Sequence, residues 1–340
     1  MKLDLENGVV EMAHGGGGRA MAKLVEDIFV RSFDNPLLNQ RNDQACFDMS
    51  AGRLAMTTDS YVIQPLFFPG GNIGSLAVHG TVNDLAMAGA APLYLSAGFI
   101  LEEGLPLADL QKIVRSMALA AQEAGVQIVT GDTKVVEKGK GDGVFINTAG
   151  IGRIPDGVAP SGDRARPGDA VLISGSLGDH GVAVMSRREN LAFEVDILSD
   201  SQALNGLVAQ MVAAVPGIHV LRDPTRGGLA ATLNEIALQS CVGMELDERA
   251  IPVKGPVRAA CEFLGLDPLN VANEGKLIAI CANEEAERLL AIMRAHPKGS
   301  DAAIIGRVTE DADRFVTLKT AFGGTRMVDW LAGEQLPRIC

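Results

Sequence analysis

A run rich in proline and glycine interrupts the chain near its middle. Residues Ile154–Asp169 hold three prolines and three glycines, in a chain of 340 residues. Such a stretch does not continue a helix or a sheet, because proline lacks the backbone N–H and glycine weakens regular elements. We therefore predict two domains, at 1–155 and 170–318, with a linker at 156–169. The C-terminal segment, 319–340, is expected to end in a mobile tail at 333–340.

Hydrophobic periodicity on both sides of this linker alternates between strands and helices. Strands are predicted at 54–60, 126–133, 143–152, 170–175 and 277–280, the first two ending at an aspartate. Helices are predicted at 74–89, 107–124, 201–214, 228–240 and 284–295. Apolar residues make up 47% of the chain and aromatic residues only 4%, so Ala, Val, Leu and Ile must form the core. This pattern is typical of a layered α/β fold.

The charge balance excludes some classes of partner. The net charge is −12 and the isoelectric point is about 4.9, whereas nucleic acids and anionic membranes select positive surfaces. No signal-peptide core and no run of about 18 apolar residues is found, so a cytoplasmic protein is expected. The five cysteines include no CxxC pair, which argues against a disulfide framework or a zinc site.

Aspartates recur beside predicted strand ends, helices and glycine turns. Such carboxylates can hold Mg²⁺ jointly with substrate phosphates, although any single one is more often a turn former or helix cap. These aspartates are Asp43, Asp59, Asp84, Asp132 and Asp223.

Two glycine-rich segments could bind phosphate. Four glycines lie between His14 and Arg19, where backbone N–H groups could wrap a triphosphate, although a flexible linker explains the run equally well. The segment Asp223–Leu229 leads directly into a predicted helix, so its N–H groups and Arg226 could meet an anion. The alternative is an ordinary helix start after a proline.

Three further residues could take part directly in a reaction. Lys134 follows a strand-end aspartate, and Glu274 lies in a glycine turn before a strand; either could move protons or hold phosphate, or be a surface charge. Cys340 is the last residue of the predicted tail, too mobile to be a good nucleophile but suited to carrying a group. Eight extended residues span about 26–29 Å, enough to move such a group between two sites.

These motifs together resemble the HypE family of hydrogenase-maturation carbamoyl dehydratases, over essentially the full chain. The segments that carry the resemblance are His14–Arg19, Thr57–Ser60, Val82–Gly89, Thr130–Val136, Asp223–Leu229, Asn273–Lys276 and Pro337–Cys340. The aspartate motifs are shared with aminoimidazole ribonucleotide synthetase, selenide water dikinase and thiamine-phosphate kinase. The Pro-Arg-Ile-Cys end is the specific part.

The resemblance implies an aminoimidazole ribonucleotide synthetase-like fold of two α/β domains, a homodimer through the N-terminal domains, and ATP with Mg²⁺ in the cleft. The metal ligands would be Asp43, Asp59, Asp84 and Asp223. Nucleotide would be bound by His14, Gly15, Gly16, Gly17, Gly18, Arg19, Asn83, Asp132, Thr133, Thr225, Arg226, Gly227 and Gly228.

The resemblance also implies the reaction. Cys340 would receive a carbamoyl group from the carbamoyltransferase HypF, and ATP would dehydrate the S-carboxamide to a thiocyanate. Lys134 and Glu274 would stabilise the phosphorylated oxygen and accept protons, in undetermined order. The cyanide would pass to iron on a HypC–HypD scaffold.

The glycine run lacks the cysteine or selenocysteine of selenide water dikinases, which excludes that family. A small-molecule ATP-dependent synthetase or kinase and a non-catalytic nucleotide-binding scaffold remain as alternatives.

Overall fold

A computed structural model describes residues 3–15, 19–40, 52–189 and 196–330, with the backbone alone at residues 19 and 40. Among these residues, no helix is long and apolar enough to cross a membrane. Two large sheets organise the described chain.

The first sheet has four strands in the order β1-β6-β4-β5. Only the β4–β5 pair is parallel. The strands up to the linker are β1 (Arg53–Tyr61), β2 (Phe67–Phe68), β3 (Gly71–Asn72), β4 (Ala91–Glu102), β5 (Gln127–Val136) and β6 (Val144–Ile154), of which β2 and β3 form a separate short hairpin. The helices are α1 (Arg19–Leu24), continued by a π-helical turn (Val25–Val30), α2 (Arg31–Phe33), α3 (Ile73–Met87) and α4 (Leu107–Ala124), with 3₁₀ turns at Met12–Gly15 and Leu38–Gln40.

Local sequence explains the two long helices. Asn72 and Ser75 form a capping box at the start of α3, each side chain accepting a backbone N–H from the other end of the turn. At the end of α4, Gly125 adopts φ 69°, the left-handed conformation that glycine tolerates best. Both helices pack on one face of the four-stranded sheet. No helix of the described residues packs on the opposite, open face, and Met56 on β1 is 77% exposed.

The second sheet has seven strands in the order β13-β12-β9-β11-β7-β10-β8. Only β12 and β9 pair in parallel. These strands are β7 (Ala170–Ile173), β8 (Val220–Arg222), β9 (Gly243–Asp247), β10 (Ile278–Cys281), β11 (Ala303–Thr309), β12 (Val316–Lys319) and β13 (Thr325–Met327). The helices are α5 (Asp179–Arg188), α6 (Asn205–Ala214), α7 (Gly228–Ser240), α8 (Gly255–Leu264) and α9 (Ala286–Ala295), with 3₁₀ turns at Glu248–Ala250, Pro268–Asn270, Asn283–Glu285 and Pro297–Gly299.

Central strands of this sheet are buried on both faces. On β7, Leu172 packs with α6 and α9, whereas its neighbours Val171 and Ile173 pack with α7 on the other side. Such double burial explains why these strands read as continuous apolar runs rather than alternating ones. The layered α/β prediction is confirmed.

Most predicted elements are present, with two instructive differences. The strands at 54–60 and 126–133 do not stop at Asp59 and Asp132, since β1 runs to Tyr61 and β5 to Val136. Pairing with β4 extends β5, because Val136 lies opposite Glu102. The seven-stranded sheet also continues past the predicted limit at residue 318, since β13 pairs with β12.

The predicted linker is irregular but well packed. Val158 joins the core cluster beneath α6 and α9, and Ala165 joins the cluster beneath α7. A Cβ at Gly89 would come within 2.4 Å of Val158, so this glycine allows the linker to lie close against the end of α3. The linker therefore fixes the two sheets together.

Candidate functional site

Three carboxylates influence one another electrostatically where helix α3 lies against both β1 and β8. Asp59 lies on β1 and Asp84 on α3, while Asp223 follows β8. Burial raises the pKa of Asp223 to about 7, and the neighbouring charges of Asp84 and Asp59 add to the shift. Burial likewise raises the pKa of Asp84, with a further contribution from Asp59, although the Thr57 hydroxyl donates to its Oδ2 at 2.8 Å. We call Asp59, Asp84 and Asp223 the interdomain carboxylate cluster.

The interdomain carboxylate cluster is only partly compensated, since the charge of Arg222 lowers the pKa of Asp84 and Asp223 by less than burial raises it. None of its three members forms an ion pair with another described residue. Burial, with a smaller contribution from neighbouring carboxylates, raises the pKa of Asp84 and Asp223, and a divalent cation bound by such hard oxygens would offset both effects. No three His, Cys, Asp or Glu side chains of the described ranges lie close enough to form a complete metal site. A ligand from the remaining chain or from a bound phosphate would have to complete it.

Asn83, next to Asp84 on α3, links this helix to two irregular segments of the second half of the chain. Its Nδ2 donates to the carbonyl of Gln202 at 3.0 Å and to that of Glu274 at 3.3 Å. Glu274 is only 4% exposed, and its charge raises the pKa of the buried Tyr61, after the larger effects of burial and Asp59. The predicted proton acceptor Glu274 therefore shares the environment of the interdomain carboxylate cluster.

The segment after Asp223 begins helix α7 with two glycines. Gly227 and Gly228 have φ values of 76° and 62°, and a Cβ on Gly228 would come within 2.6 Å of the Leu269 carbonyl. No side chain of the described residues caps this helix, while Arg226 is exposed and the Gly228 N–H donates to the Thr225 carbonyl. Uncapped N–H groups and a nearby arginine can receive an anion.

The other predicted site residues lie along strand β5. Both carboxylate oxygens of Asp132 accept from the Lys134 ammonium, at 2.8 and 2.6 Å, and each side chain is 64% exposed. The backbone N–H of Thr133 also donates to Asp132, and the bond from Lys134 is the main reason that its pKa is lowered. We call Asp132, Thr133 and Lys134 the β5 edge region.

The start of the glycine run lies beside this β5 edge region. Gly15 packs so closely on β5 that a Cβ would come within 2.9 Å of Val135. The adjacent His14 is buried, and its Nδ1 accepts from the backbone N–H of Glu11.

Strand order separates the β5 edge region from the carboxylates. Asp59 pairs with Thr148, Thr148 with Ala97, and Ala97 with Gly131, in one row across four strands. Three steps of about 4.8 Å place β5 about 14 Å from β1. Strand order depends on the whole fold, so no local sequence pattern predicts this separation.

A small cavity, which sequence reasoning missed, opens beside the β5 edge region. It has a volume of about 130 Å³ and lies between β5 and the π-helical turn, with Phe29, Phe33, Phe99 and Thr133 among its lining residues. A π-helical turn often marks a functional position, but nothing in Val25–Val30, which has four apolar and two acidic residues, distinguishes it from an ordinary helix.

Some predicted residues lie outside the described ranges. These are Gly16, Gly17, Gly18, Asp43 and Cys340. Arg19 begins α1, with its backbone alone described.

Comparisons with known proteins give the family context. The N-terminal domain model of AIR synthase related proteins matches residues 41–154, and the C-terminal domain model matches 166–319. The chain is 71% identical over 339 residues to the carbamoyl dehydratase HypE of Azotobacter vinelandii, covering 100% of this chain and 99% of that protein.

Two solved structures extend this similarity. Hydrogenase maturation protein HypE in complex with ATP has a TM-score of 0.94 at 57% identity, covering 97% of this chain and 99% of that one. A HypE–HypF complex contains a chain with a TM-score of 0.81 at 52% identity, covering 91% of this chain and 99% of that one.

Proposed function

We propose that this chain, which belongs to the HypE family of AIR synthase related proteins, is an ATP-dependent carbamoyl dehydratase of hydrogenase maturation. The observation that carries the proposal is its 71% identity, over full length, to a protein of that activity. The carried group would be an S-carboxamide on Cys340, converted to a thiocyanate with release of ADP and phosphate.

The chemistry requires an activated oxygen. The carboxamide oxygen attacks the γ-phosphorus of ATP, the bond from that phosphorus to the bridging oxygen breaks, and ADP leaves. One N–H proton is lost as the O-phosphorylated imidate forms. Loss of the second N–H proton and cleavage of the C–O bond then give the C≡N group and inorganic phosphate. A closed cleft is needed because water would hydrolyse the activated carbamoyl group.

We assign the proton transfer to Glu274, which is buried beside α3 in the cleft. Asp59, Asp84 and Asp223, together with Asp43, are the proposed Mg²⁺ ligands; when bound, the ion would neutralise the triphosphate. The N-terminus of α7, with Thr225 to Gly228, is the proposed site for phosphate oxygens. Asn83 holds the α3 side of the cleft against Glu274.

The proposed nucleotide site extends to the β5 edge region, with His14, the glycine run and Arg19. Lys134 remains a candidate for stabilising the phosphorylated oxygen. Because it lies about three strands from the carboxylates, this role requires a second copy of the chain. A homodimer through the open face of the four-stranded sheet fits the exposed apolar residues there, which include Leu54, Met56 and Ile100.

The partners follow from the family. The similar structure in which HypE is complexed with HypF supports HypF as the carbamoyl donor to Cys340. A HypC–HypD scaffold is the proposed acceptor of the cyanide, and the cytoplasm is the proposed location. The domain division at 156–169 belongs to the same proposal, with residues 333–340 as the tail that carries Cys340 between sites.

Intact mass spectrometry tests the function. The protein is incubated with HypF, carbamoyl phosphate and ATP, and the expected result is a carbamoyl adduct that then loses the mass of one water. A non-hydrolysable ATP analogue should stop the second step. Cys340→Ala should prevent the adduct, whereas Cys241→Ala, at an exposed cysteine elsewhere, should not. Dehydration in the Cys340→Ala variant, or ATP binding without dehydration in the wild type, would refute the proposal.

A further inference from the structure

The residues just before α6 form an unusual junction. Ser199–Leu204 has no helix or strand, yet its side chains and backbone bond to several separate elements. We call it the 199–204 segment. The Ser199 N–H donates to the Pro69 carbonyl next to β2, and Ser201 Oγ lies 2.9 Å from Nδ1 of His79 on α3. The segment thereby reaches the first domain at two places.

The same segment holds the turn that carries Glu274. Oδ1 of Asp200 accepts from the Glu274 backbone N–H at 3.1 Å, and Oδ2 accepts from the Lys276 ammonium at 3.0 Å. The side chains of Asp200 and Lys276 are only 3% and 9% exposed. Buried charges need partners, so this pair strongly resists separation.

Close backbone packing reinforces that ion pair. A Cβ on Gly275 would come within 1.8 Å of the Asp200 carbonyl, so only glycine allows this approach. Gln202 Nε2 donates to the Gly275 carbonyl at 3.0 Å, and Oδ1 of Asn83 accepts from the Leu204 N–H at 2.7 Å. The 199–204 segment thus lies between the Glu274 turn and the helix that bears Asp84.

We propose that Asp200 is a positioning residue, which fixes Glu274 relative to the interdomain carboxylate cluster by holding both the Glu274 N–H and the Lys276 ammonium. The inference rests on the proposed function, in which Glu274 accepts a proton. Asp200 does not touch the reacting atoms; it acts through the backbone of Glu274. Misplacement of a catalytic group by about 1 Å can cost about 10²-fold in rate.

The carboxylate is required because it supplies two acceptor oxygens, whereas an amide supplies one. In Asp200→Asn, either the Glu274 N–H or the Lys276 ammonium must face an NH₂ donor. The charged Lys276 should take the single oxygen, which leaves the Glu274 N–H without its acceptor. Removing the ammonium with Lys276→Met should return that oxygen to Glu274.

The experiment combines kinetics with hydrogen exchange. Asp200→Asn should lower kcat about 10–100-fold, with KM for ATP changed less than about twofold, because the triphosphate ligands are untouched. Amide exchange of a peptide containing Glu274 should become faster. The double variant Asp200→Asn/Lys276→Met should recover most of the lost kcat and of the protection.

A matched control lies at the opposite end of β7. Asp169 is also buried and its Oδ2 lies 2.7 Å from His219, but it precedes the first residue of the strand, far from the Glu274 turn. Asp169→Asn should lower the melting temperature without a specific loss of kcat or of Glu274 protection.

Unchanged protection of Glu274 in Asp200→Asn would overturn the proposal. The proposal would also be overturned if Asp200→Asn/Lys276→Met recovered neither kcat nor amide protection relative to Asp200→Asn alone. Exchange is measured without ATP or HypF, so its outcome holds even if dehydration fails in the wild type; that failure would refute the proposed function alone.

Discussion

Asp84 and Asp132 are aspartates of the same sheet domain, yet their surroundings shift their pKa values in opposite directions. Burial and Asp59 raise the pKa of Asp84, whereas an exposed lysine lowers that of Asp132. Burial therefore disfavours the charged form of Asp84, with Asp59 adding to the effect, whereas the charge of Asp132 in the β5 edge region is paired with Lys134. Because its carboxylates have no ion-pair partner among the described residues, the interdomain carboxylate cluster can bind a ligand of positive charge.

We expect the largest effect on activity when a charge is removed from the interdomain carboxylate cluster. Asp84→Asn keeps an oxygen for the Thr57 hydroxyl but removes the charge, so ATP-dependent phosphate release should fall about 10²–10³-fold. Asp109→Asn, at a partly exposed position on α4, is the matched control and should retain full activity. Wild-type turnover in Asp84→Asn would contradict the proposed metal site.

Mixed dimers test whether the two regions act together. Asp84→Asn and Lys134→Met are each expected to lower turnover about tenfold or more. If Lys134 serves the cleft of a second copy, random mixing of the two variants should recover about a quarter of the wild-type rate, since half of the dimers hold one intact site. If it serves its own cleft, no activity returns. Phosphate release before and after mixing distinguishes these outcomes.

The raised pKa of Asp223, caused mainly by burial and then by the charge of Asp84, affects the stability of the fold. Its pKa rises from 3.8 to about 7 on folding, so the unfolded chain loses the proton first as the pH rises. The folded state is thus progressively disfavoured between about pH 4 and pH 7, and the cost is complete above that range. Asp223→Asn should raise the melting temperature of the ligand-free protein by about 2–4 °C at pH 8 and have little effect at pH 4.

Thermal unfolding of Asp223→Asn across pH 4 to 8 checks this prediction, without nucleotide or divalent ions. Asp109→Asn again serves as the control. If the melting temperatures of Asp223→Asn and the wild type differed by the same amount at pH 4 and pH 8, the charge of Asp223 would not be the cause of the difference.

The smallest effect is expected at the β5 edge region. The pKa of Asp132 is lowered, so its pairing stabilises the fold above about pH 4 and the effect is lost as the pH falls through the lowered pKa. Because the pair is largely exposed, Asp132→Asn should reduce the free energy of unfolding by less than about 1 kcal/mol at pH 7. Denaturant titration with and without 1 M salt measures this free energy of unfolding. A loss above about 2 kcal/mol would contradict a small contribution from the exposed Asp132–Lys134 pair.

Local sequence signals predicted an element well where its first and last residues depend only on its own sequence. The helix at 107–124 begins and ends as predicted, since its period and Gly125 are readable in isolation. The helix expected at 201–214 begins only at Asn205. The preceding residues instead bond to His79, Asn83 and Lys276, partners far away in the sequence.

The candidate site was predictable in its residue types but not in its arrangement. Asp59, Asp84 and Asp223 could be selected as carboxylates beside glycine turns and element ends. That Lys134 lies apart from them follows from the strand order β1-β6-β4-β5, which no local pattern reveals. Asp200 carries no motif, because its importance comes entirely from the two groups that its carboxylate holds.

The contacts of Asn83 can form only after later parts of the chain have been synthesised. Its side-chain amide donates to the carbonyls of residues that follow it by 119 and 191 positions. At synthesis rates of 5–20 residues per second, about 10–40 s pass between the emergence of Asn83 and that of Glu274. A nascent chain can therefore complete its first sheet well before the cleft exists. The contact between Asn83 and the Glu274 turn therefore forms only late in synthesis.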